Sequence, residues 1–157
     1  MYIVPDPTEW DSTTVGIGRI LPEAIPIIWR DLEAFLALHP AWLTEVDGIE
    51  GVLNFCARGV YEAWVALSRR GDVEVLGICQ WDRHKYESYY HILYLGGKNL
   101  RAYLKAGLGE AERYAYANGA AEIIFTGRWG WKRLLRRFGY GQPVVQLRKN
   151  VRKVLGH

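Results

Sequence analysis

The sequence predicts an α+β fold with mixed α/β layering, in one domain of 157 residues. Three observations predict it. Apolar residues recur at helical spacing in two segments of the first third of the chain, and three alternating apolar segments follow them. The last third reads strand, Gly-Gly turn, long helix, strand, basic helix, strand. This order is typical of a mostly antiparallel sheet with helices packed on it.

The N-terminal third is predicted to hold two helices. Residues 1–20 are punctuated by prolines and are expected to be irregular. Apolar residues at helical spacing predict a first helix over 25–38, which Pro40 ends. A second helix is expected over 49–59.

The middle of the chain is predicted to be a three-stranded antiparallel meander. Alternating apolar residues indicate each strand, and the charged turns Arg69–Asp72 and Asp82–Glu87 join them. The expected strands are 61–68, 73–81 and 88–95.

The last third begins with the clearest helix of the sequence. An apolar stripe from Leu100 to Ala115 predicts a helix over 100–118, and Gly119 follows at the position where helices often end. A short buried strand, a basic helix, a final strand and a basic tail are expected at 121–126, 131–138, 143–147 and 150–157.

Charge is distributed unevenly along the chain. The net charge is +3, but residues 1–100 carry 8 Lys and Arg against 14 Asp and Glu, whereas residues 101–157 carry 12 against 3. Such a basic end could attract coenzyme phosphates, nucleic acid or an acidic protein surface. The alternative is that these charges form only a solvated helix face and a basic tail that bind no partner. Charge alone does not distinguish between these interpretations.

Cysteine usage and hydropathy narrow the class of protein. Cys56 and Cys79 lie in apolar segments without CxxC spacing, so they are expected to be reduced core thiols of an intracellular protein. The sequence contains no run of about 18 apolar residues, so no membrane-spanning helix is expected. The four histidines lack metal-ligand spacing, so no metal site is expected.

The order and landmarks of residues 89–149 resemble the second half of the GNAT (Gcn5-related N-acetyltransferase) fold. Its clearest landmark is the segment LLRRFGY, 134–140, which is similar to the end of the fourth GNAT helix. The resemblance implies a twisted, mostly antiparallel sheet of about six strands flanked by about four helices. In many members a tyrosine at the second position of this segment serves as the general acid. Here Leu135 occupies it, and leucine cannot donate a proton.

The resemblance also implies an acetyl-CoA site between two splayed central strands. The pyrophosphate would lie at the turn formed by Gly96, Gly97, Lys98 and Asn99, because backbone N–H groups before a helix can hold phosphate. The family's flanking residues, an arginine or glutamine before this turn and a glycine or alanine after it, are absent. The Gly-Gly pair could equally be a tight turn into the helix.

Several short landmarks in the same region are similar to those of small GNAT-like proteins of short-tailed bacteriophages. They are the strand ending in Gly-Gly-Lys, the motif GRWGW over 127–131, and Phe-Gly-Tyr over 138–140. This likeness implies a catalytically degenerate virion or assembly protein, made in the host bacterial cytoplasm, that contacts phage structural proteins or itself. Its contact surface would comprise Trp129, Arg133, Arg136 and Arg137, because Trp and Arg concentrate binding energy at interfaces.

An acetyl-CoA-dependent N-acetyltransferase is the alternative function. His91 lies on the strand where a GNAT base could lie and is the candidate catalytic residue; a hydrogen-bonded structural histidine is the other interpretation. Glu62 and Glu87 are carboxylates near predicted strand ends that could act through water. Nucleic-acid binding would need a recognisable module, and the sequence shows none.

Overall fold

A computed structural model describes residues 16–39, 48–98, 100–126 and 129–141. The chain divides into two compact units, Met1–Gly127 and Arg128–His157. The prediction of a single domain over 1–157 stays a prediction. Five strands are described: β1 Gly16–Ile20, β2 Glu62–Leu67, β3 Val73–Arg83, β4 Ser88–Gly97 and β5 Glu122–Phe125. The helices are α1 Trp29–Leu38, α2 Gly48–Ala57, α3 Leu100–Ala117 and α4 Trp129–Arg136, with a 3₁₀ turn at Pro22–Ala24.

The first unit contains one sheet with the order β1-β2-β3-β4-β5. The first four strands pair antiparallel, and β5 pairs parallel with β4 through the connection formed by α3. This arrangement confirms the predicted fold class. About six strands were expected and five are described, since the segment 143–147 lies outside the described residues.

The two faces of the sheet are covered by different helices. On one face, α1 and α2 bury apolar residues at helical spacing, among them Leu32 and Leu36 of α1 and Leu53 of α2, against Ile78 of β3. On the other face α3 buries Leu104, Leu108, Ala111 and Ala115. These are members of the stripe that the sequence predicted.

Three features correct the sequence-based boundaries. The last five residues of the segment expected to be irregular, 1–20, form β1, which pairs with β2 from Gly16–Leu67 to Ile20–Ala63. Two glycines within these five residues mask the strand pattern, because glycine has low strand propensity. The helix expected over 25–38 begins at Trp29, after the 3₁₀ turn. The last helix begins at Trp129 rather than Trp131.

A bulge in β4 changes which side chains face each helix layer. Cys79 of β3 pairs with Ile92, whereas the preceding Ile78 pairs with Tyr94, so Leu93 is one extra residue in β4. Before the bulge, Tyr90 contacts the α3 layer through the ring of Tyr114. After it, Tyr94 belongs to the α1–α2 core.

The end of β4 requires glycine for steric reasons. At Gly97 the backbone has a φ of +143°, and an added Cβ atom would lie 2.1 Å from the carbonyl oxygen of Glu74 on β3. At Gly96 an added Cβ atom would lie 2.6 Å from the hydroxyl of Tyr94, which is held by a 2.7 Å hydrogen bond to the His39 carbonyl. Both glycines are therefore needed for β4 to pass close to β3 and to its own buried tyrosine.

We expect Gly97→Ala to lower the free energy of unfolding by about 3 kcal/mol or more, because a backbone clash adds to left-handed strain. Gly71→Ala is the matched control: its φ is +86°, but an added Cβ atom meets nothing within 4 Å. It should cost only about 1 kcal/mol. Urea denaturation of both variants measures the difference, and equal losses would contradict the steric explanation.

Candidate functional site

The two central parallel strands, β4 and β5, pair over a short region. The β4–β5 ladder runs from Tyr89–Glu122 to Ile92–Phe125, and the Thr126 N–H donates to the Ile92 carbonyl at 3.1 Å. Beyond this point β4 continues to Gly97, and none of the described strands pairs with its β5 side. We refer to this side of β4, over residues 94–97, as the β5-side edge of β4.

His91 lies in the β4–β5 ladder, one residue before its last pair. It pairs with Gln80 of β3 and Ile124 of β5, and its Nε2 atom is 2.6 Å from the hydroxyl oxygen of Thr126. Burial lowers the pKa of His91 below its ordinary value of 6.5, although the charge of Asp82 opposes this shift. The imidazole is thus favoured in its neutral form, with one ring nitrogen able to accept a proton.

The predicted phosphate turn is engaged in holding the sheet. The backbone N–H of Lys98 donates to the Glu74 carbonyl at 2.8 Å, so it already has an acceptor. The side chain of Lys98 is exposed, while Asn99 lies outside the described residues. Gly96 and Gly97 are half-buried against β3 and Tyr94, as described above. The Lys98 N–H is therefore not free to bind a phosphate, while the assignment of Gly96, Gly97, Lys98 and Asn99 to a pyrophosphate stays a prediction.

The two candidate carboxylates have other partners. Glu62 accepts hydrogen bonds at one oxygen from Arg19 at 2.8 Å and from the Tyr114 hydroxyl at 2.7 Å. Glu87 is exposed and accepts a hydrogen bond from the Tyr89 hydroxyl. No contact of either carboxylate with His91 is found among these bonds.

Sequence reasoning missed the polar cluster around Glu62. The side chains of Arg19 and Glu62 are each 13% exposed, and the Arg19 guanidinium also lies 4.6 Å from the ring centre of Tyr114. The Nε atom of Arg19 and the second oxygen of Glu62 are buried without a hydrogen-bond partner. Because β1 was expected to be irregular, no sequence signal placed Arg19 next to Glu62.

A second hydrogen-bonded pair lies on the same face of the sheet. The Trp64 indole N–H donates to the Tyr90 hydroxyl at 2.8 Å, and the buried Cys79 lies on the same face of the sheet. Both cysteines are free and buried, as expected, and burial raises the pKa of Cys56 to about 12. Buried thiols of this kind are protonated and poorly nucleophilic.

The predicted contact surface lies in the second unit. Arg133, Arg136 and Arg137 are exposed at and just after the end of α4, whose sequence contains no acidic residue. The side chain of Trp129 lies outside the described part. Leu135, in the position of the family tyrosine, is buried, and α4 ends in a turn where the Tyr140 N–H donates to the Leu135 carbonyl.

Neither a metal-binding cluster nor a helix able to span a membrane occurs among the described residues. No group of three or more His, Cys, Asp or Glu side chains there could hold a metal ion. None of the described helices combines the length and hydropathy that a bilayer crossing requires.

Comparison with known proteins shows similarity in structure only. No protein-family model matches the sequence, and no curated protein matches it. An aminoglycoside acetyltransferase from an uncultured soil metagenomic sample, solved in complex with sisomicin, is 13% identical, with a TM-score of 0.64 over 87% of this chain and 95% of that chain.

Two further solved structures are similar to the same extent. A GCN5-related N-acetyltransferase from Ralstonia eutropha JMP134 is 18% identical, and a glucosamine-6-phosphate N-acetyltransferase from Arabidopsis thaliana is 14% identical. Each has a TM-score of 0.63 and covers 87% of this chain and 98% of its own. The chain therefore has the GNAT acetyltransferase fold, and identities this low establish the fold alone.

The lowered pKa of His91 predicts an acid-sensitive contribution to stability. The unfolded chain binds a proton near pH 6.5, whereas the native protein binds it only at lower pH. Stability should therefore fall as the pH drops through 6.5, until the folded pKa is reached. NMR titration of the imidazole and denaturation at about pH 7.5 and 5.5 measure both quantities.

His91→Gln should remove this contribution, while the exposed-site variant His84→Gln should retain it. A His91 imidazole that titrates at or above 6.5 would contradict the assignment of a desolvated, neutral side chain.

Proposed function

We propose that this protein is a catalytically degenerate GNAT-fold protein of a bacteriophage, which acts in virion assembly through contacts with other proteins. The observation that carries the proposal is the hydrogen bonding and packing of the turn after β4. The Lys98 N–H is bonded to the Glu74 carbonyl, and packing against β3 and Tyr94 requires glycine at positions 96 and 97 without any ligand. A pyrophosphate cradle needs consecutive N–H groups free to point at the ligand.

The residue at the general-acid position supports the same proposal. Leu135 is a buried leucine, and its side chain has no proton to give to a departing thiolate. Similarity in fold is not evidence of activity when this proton donor is missing, since one fold commonly supports unrelated functions. The assignment to phage assembly rests on the likeness of the Gly-Gly-Lys, GRWGW and Phe-Gly-Tyr landmarks to small phage proteins.

The contact surface that we propose is the basic end of α4, with Trp129 as a further anchor. Arg133, Arg136 and Arg137 offer exposed guanidinium groups on a helix without acidic residues. Arginine forms paired hydrogen bonds with carboxylates, so the chemistry of this surface fits an acidic patch on a phage structural protein. A second copy of this chain could supply that patch as well.

Reversing the charge of this surface tests the proposal. The triple variant Arg133→Glu, Arg136→Glu, Arg137→Glu should lower the amount of this protein in purified particles at least about tenfold, because like charges would then meet at the interface. Quantitative mass spectrometry of particles measures it. The control changes three exposed arginines elsewhere, Arg30, Arg58 and Arg70, to glutamate and should leave the amount unchanged.

The proposal fails if the wild-type protein is absent from particles and captures no phage structural protein. It also fails if both triple variants behave alike. Salt-dependent binding to bare DNA that is lost in the α4 variant would identify nucleic acid as the partner instead.

An acetyl-CoA-dependent N-acetyltransferase is the second candidate, and the β5-side edge of β4, which no described strand pairs with, favours it. His91, favoured as neutral imidazole in the neighbouring β4–β5 ladder, would accept a proton from an amine. Gly96, Gly97, Lys98 and Asn99 would hold the pyrophosphate, with the exposed ammonium of Lys98 supplying the charge. Acetyl-CoA would supply the acyl group.

Calorimetric titration with acetyl-CoA separates the two candidates. Under the degenerate-scaffold proposal we expect no saturable heat at about 1 mM ligand, which corresponds to binding weaker than about −4 kcal/mol. Saturable binding that weakens in Lys98→Ala, together with acetylation of an amine that is lost in His91→Gln, would establish the transferase instead. Glu112→Gln, an exposed change on α3, serves as the control for nonspecific effects.

A further inference from the structure

An apolar pocket lies between α3 and the sheet, on the face opposite α1 and α2. Its volume is about 60 Å³. Buried side chains of the strands and of α3, including Val75, Ile92 and Leu104, form its floor. Its rim consists of half-buried residues, namely Ile17, Leu95, Leu100, Tyr103 and Gly107. We refer to this space as the α3 pocket.

Two glycines keep the α3 pocket open. An added Cβ atom at Gly107, inside α3, would meet the Ile17 Cδ1 atom at 3.7 Å and no other atom within 4 Å outside its own helix backbone. At Gly77 of β3 an added Cβ atom would lie 3.6 Å from the Leu95 side chain, which is ordinary contact. Neither glycine has a left-handed φ. Alanine would fit at both positions and would be more favourable within the helix.

The lining favours an apolar occupant over water. A buried water needs about two to four polar partners. The Trp64 indole N–H already donates to Tyr90, and the Cys79 thiol is only a weak hydrogen-bond donor. The remaining wall is formed mainly by aliphatic side chains. A water molecule in this space would therefore lose hydrogen bonds that the lining residues cannot replace.

The volume limits the size of the occupant. About 60 Å³ exceeds the roughly 10–15 Å³ that one water molecule needs, and is less than half of the roughly 150 Å³ of an apolar cavity that takes benzene. We infer that the α3 pocket is a binding site for a short unbranched alkyl group of about two or three carbon atoms. The polar end of such a ligand would remain at the half-buried rim. This inference does not depend on the proposed function.

Xenon is a suitable probe, because it enters small apolar cavities without needing polar partners. Methyl NMR spectra of the wild-type protein under increasing xenon pressure should show saturable shifts at the Ile17, Leu104 and Leu108 methyl groups. Titration with 1-propanol should shift the same signals, whereas benzene should not. If xenon produces no saturable shift at these methyl groups, the inference is wrong.

Gly107→Ala and Gly109→Ala form a matched pair on the same helix. Both should raise the denaturation midpoint, so a loss of binding cannot be ascribed to unfolding. The new methyl at 107 projects toward Ile17 at the rim, whereas the one at 109 lies near the exposed Arg113 side chain. We expect xenon affinity to fall at least about fivefold in Gly107→Ala alone. Equal affinity in the two variants, or benzene shifts equal to those of xenon, would overturn the assignment.

Discussion

The extra residue in β4 is the constraint on which the rest of the first unit depends. Because Leu93 adds one residue between the Cys79–Ile92 and Ile78–Tyr94 pairs, every later side chain of β4 changes face. Tyr94 can then enter the α1–α2 core and Leu95 can line the α3 pocket. The pairing of β4 with β5 ends at the same point. The packing of the helix layers and the lining of the pocket therefore share one local cause.

The polar cluster on the α3 face has a different role, which is to tie separate elements together. Glu62 of β2 accepts hydrogen bonds from Arg19 of the edge strand β1 and from Tyr114 of α3. An ion pair this well shielded from water contributes specificity of position more reliably than net stability, because desolvation of both charges offsets their attraction. The two polar atoms of this pair that lack a hydrogen-bond partner add to the desolvation cost.

Sequence patterns predicted the elements whose signals are local. The apolar stripe of α3 and the charged turns between β2, β3 and β4 depend on residues close in the chain, and these elements lie within a few residues of their predicted bounds. β1 was missed because Gly16 and Gly18 occupy two of its three buried positions. The bulge at Leu93 and the His91–Thr126 contact depend on the pairing of distant strands, which no local pattern encodes.

The Gly-Gly pair has a steric explanation that the sequence alone does not reveal. In the sequence, Gly96 and Gly97 are equally compatible with a phosphate cradle and with a tight turn. In the structure, a side chain at either position would collide with an atom of this chain, so the fold alone accounts for both glycines. At Gly107 and Gly77 the reverse holds, because a methyl group would fit and no left-handed backbone requires glycine. A glycine that the fold does not require leaves space in which a ligand can bind. The fold alone thus accounts for the glycines of the turn, whereas Gly77 and Gly107 leave room for the ligand that we propose for the pocket beneath α3.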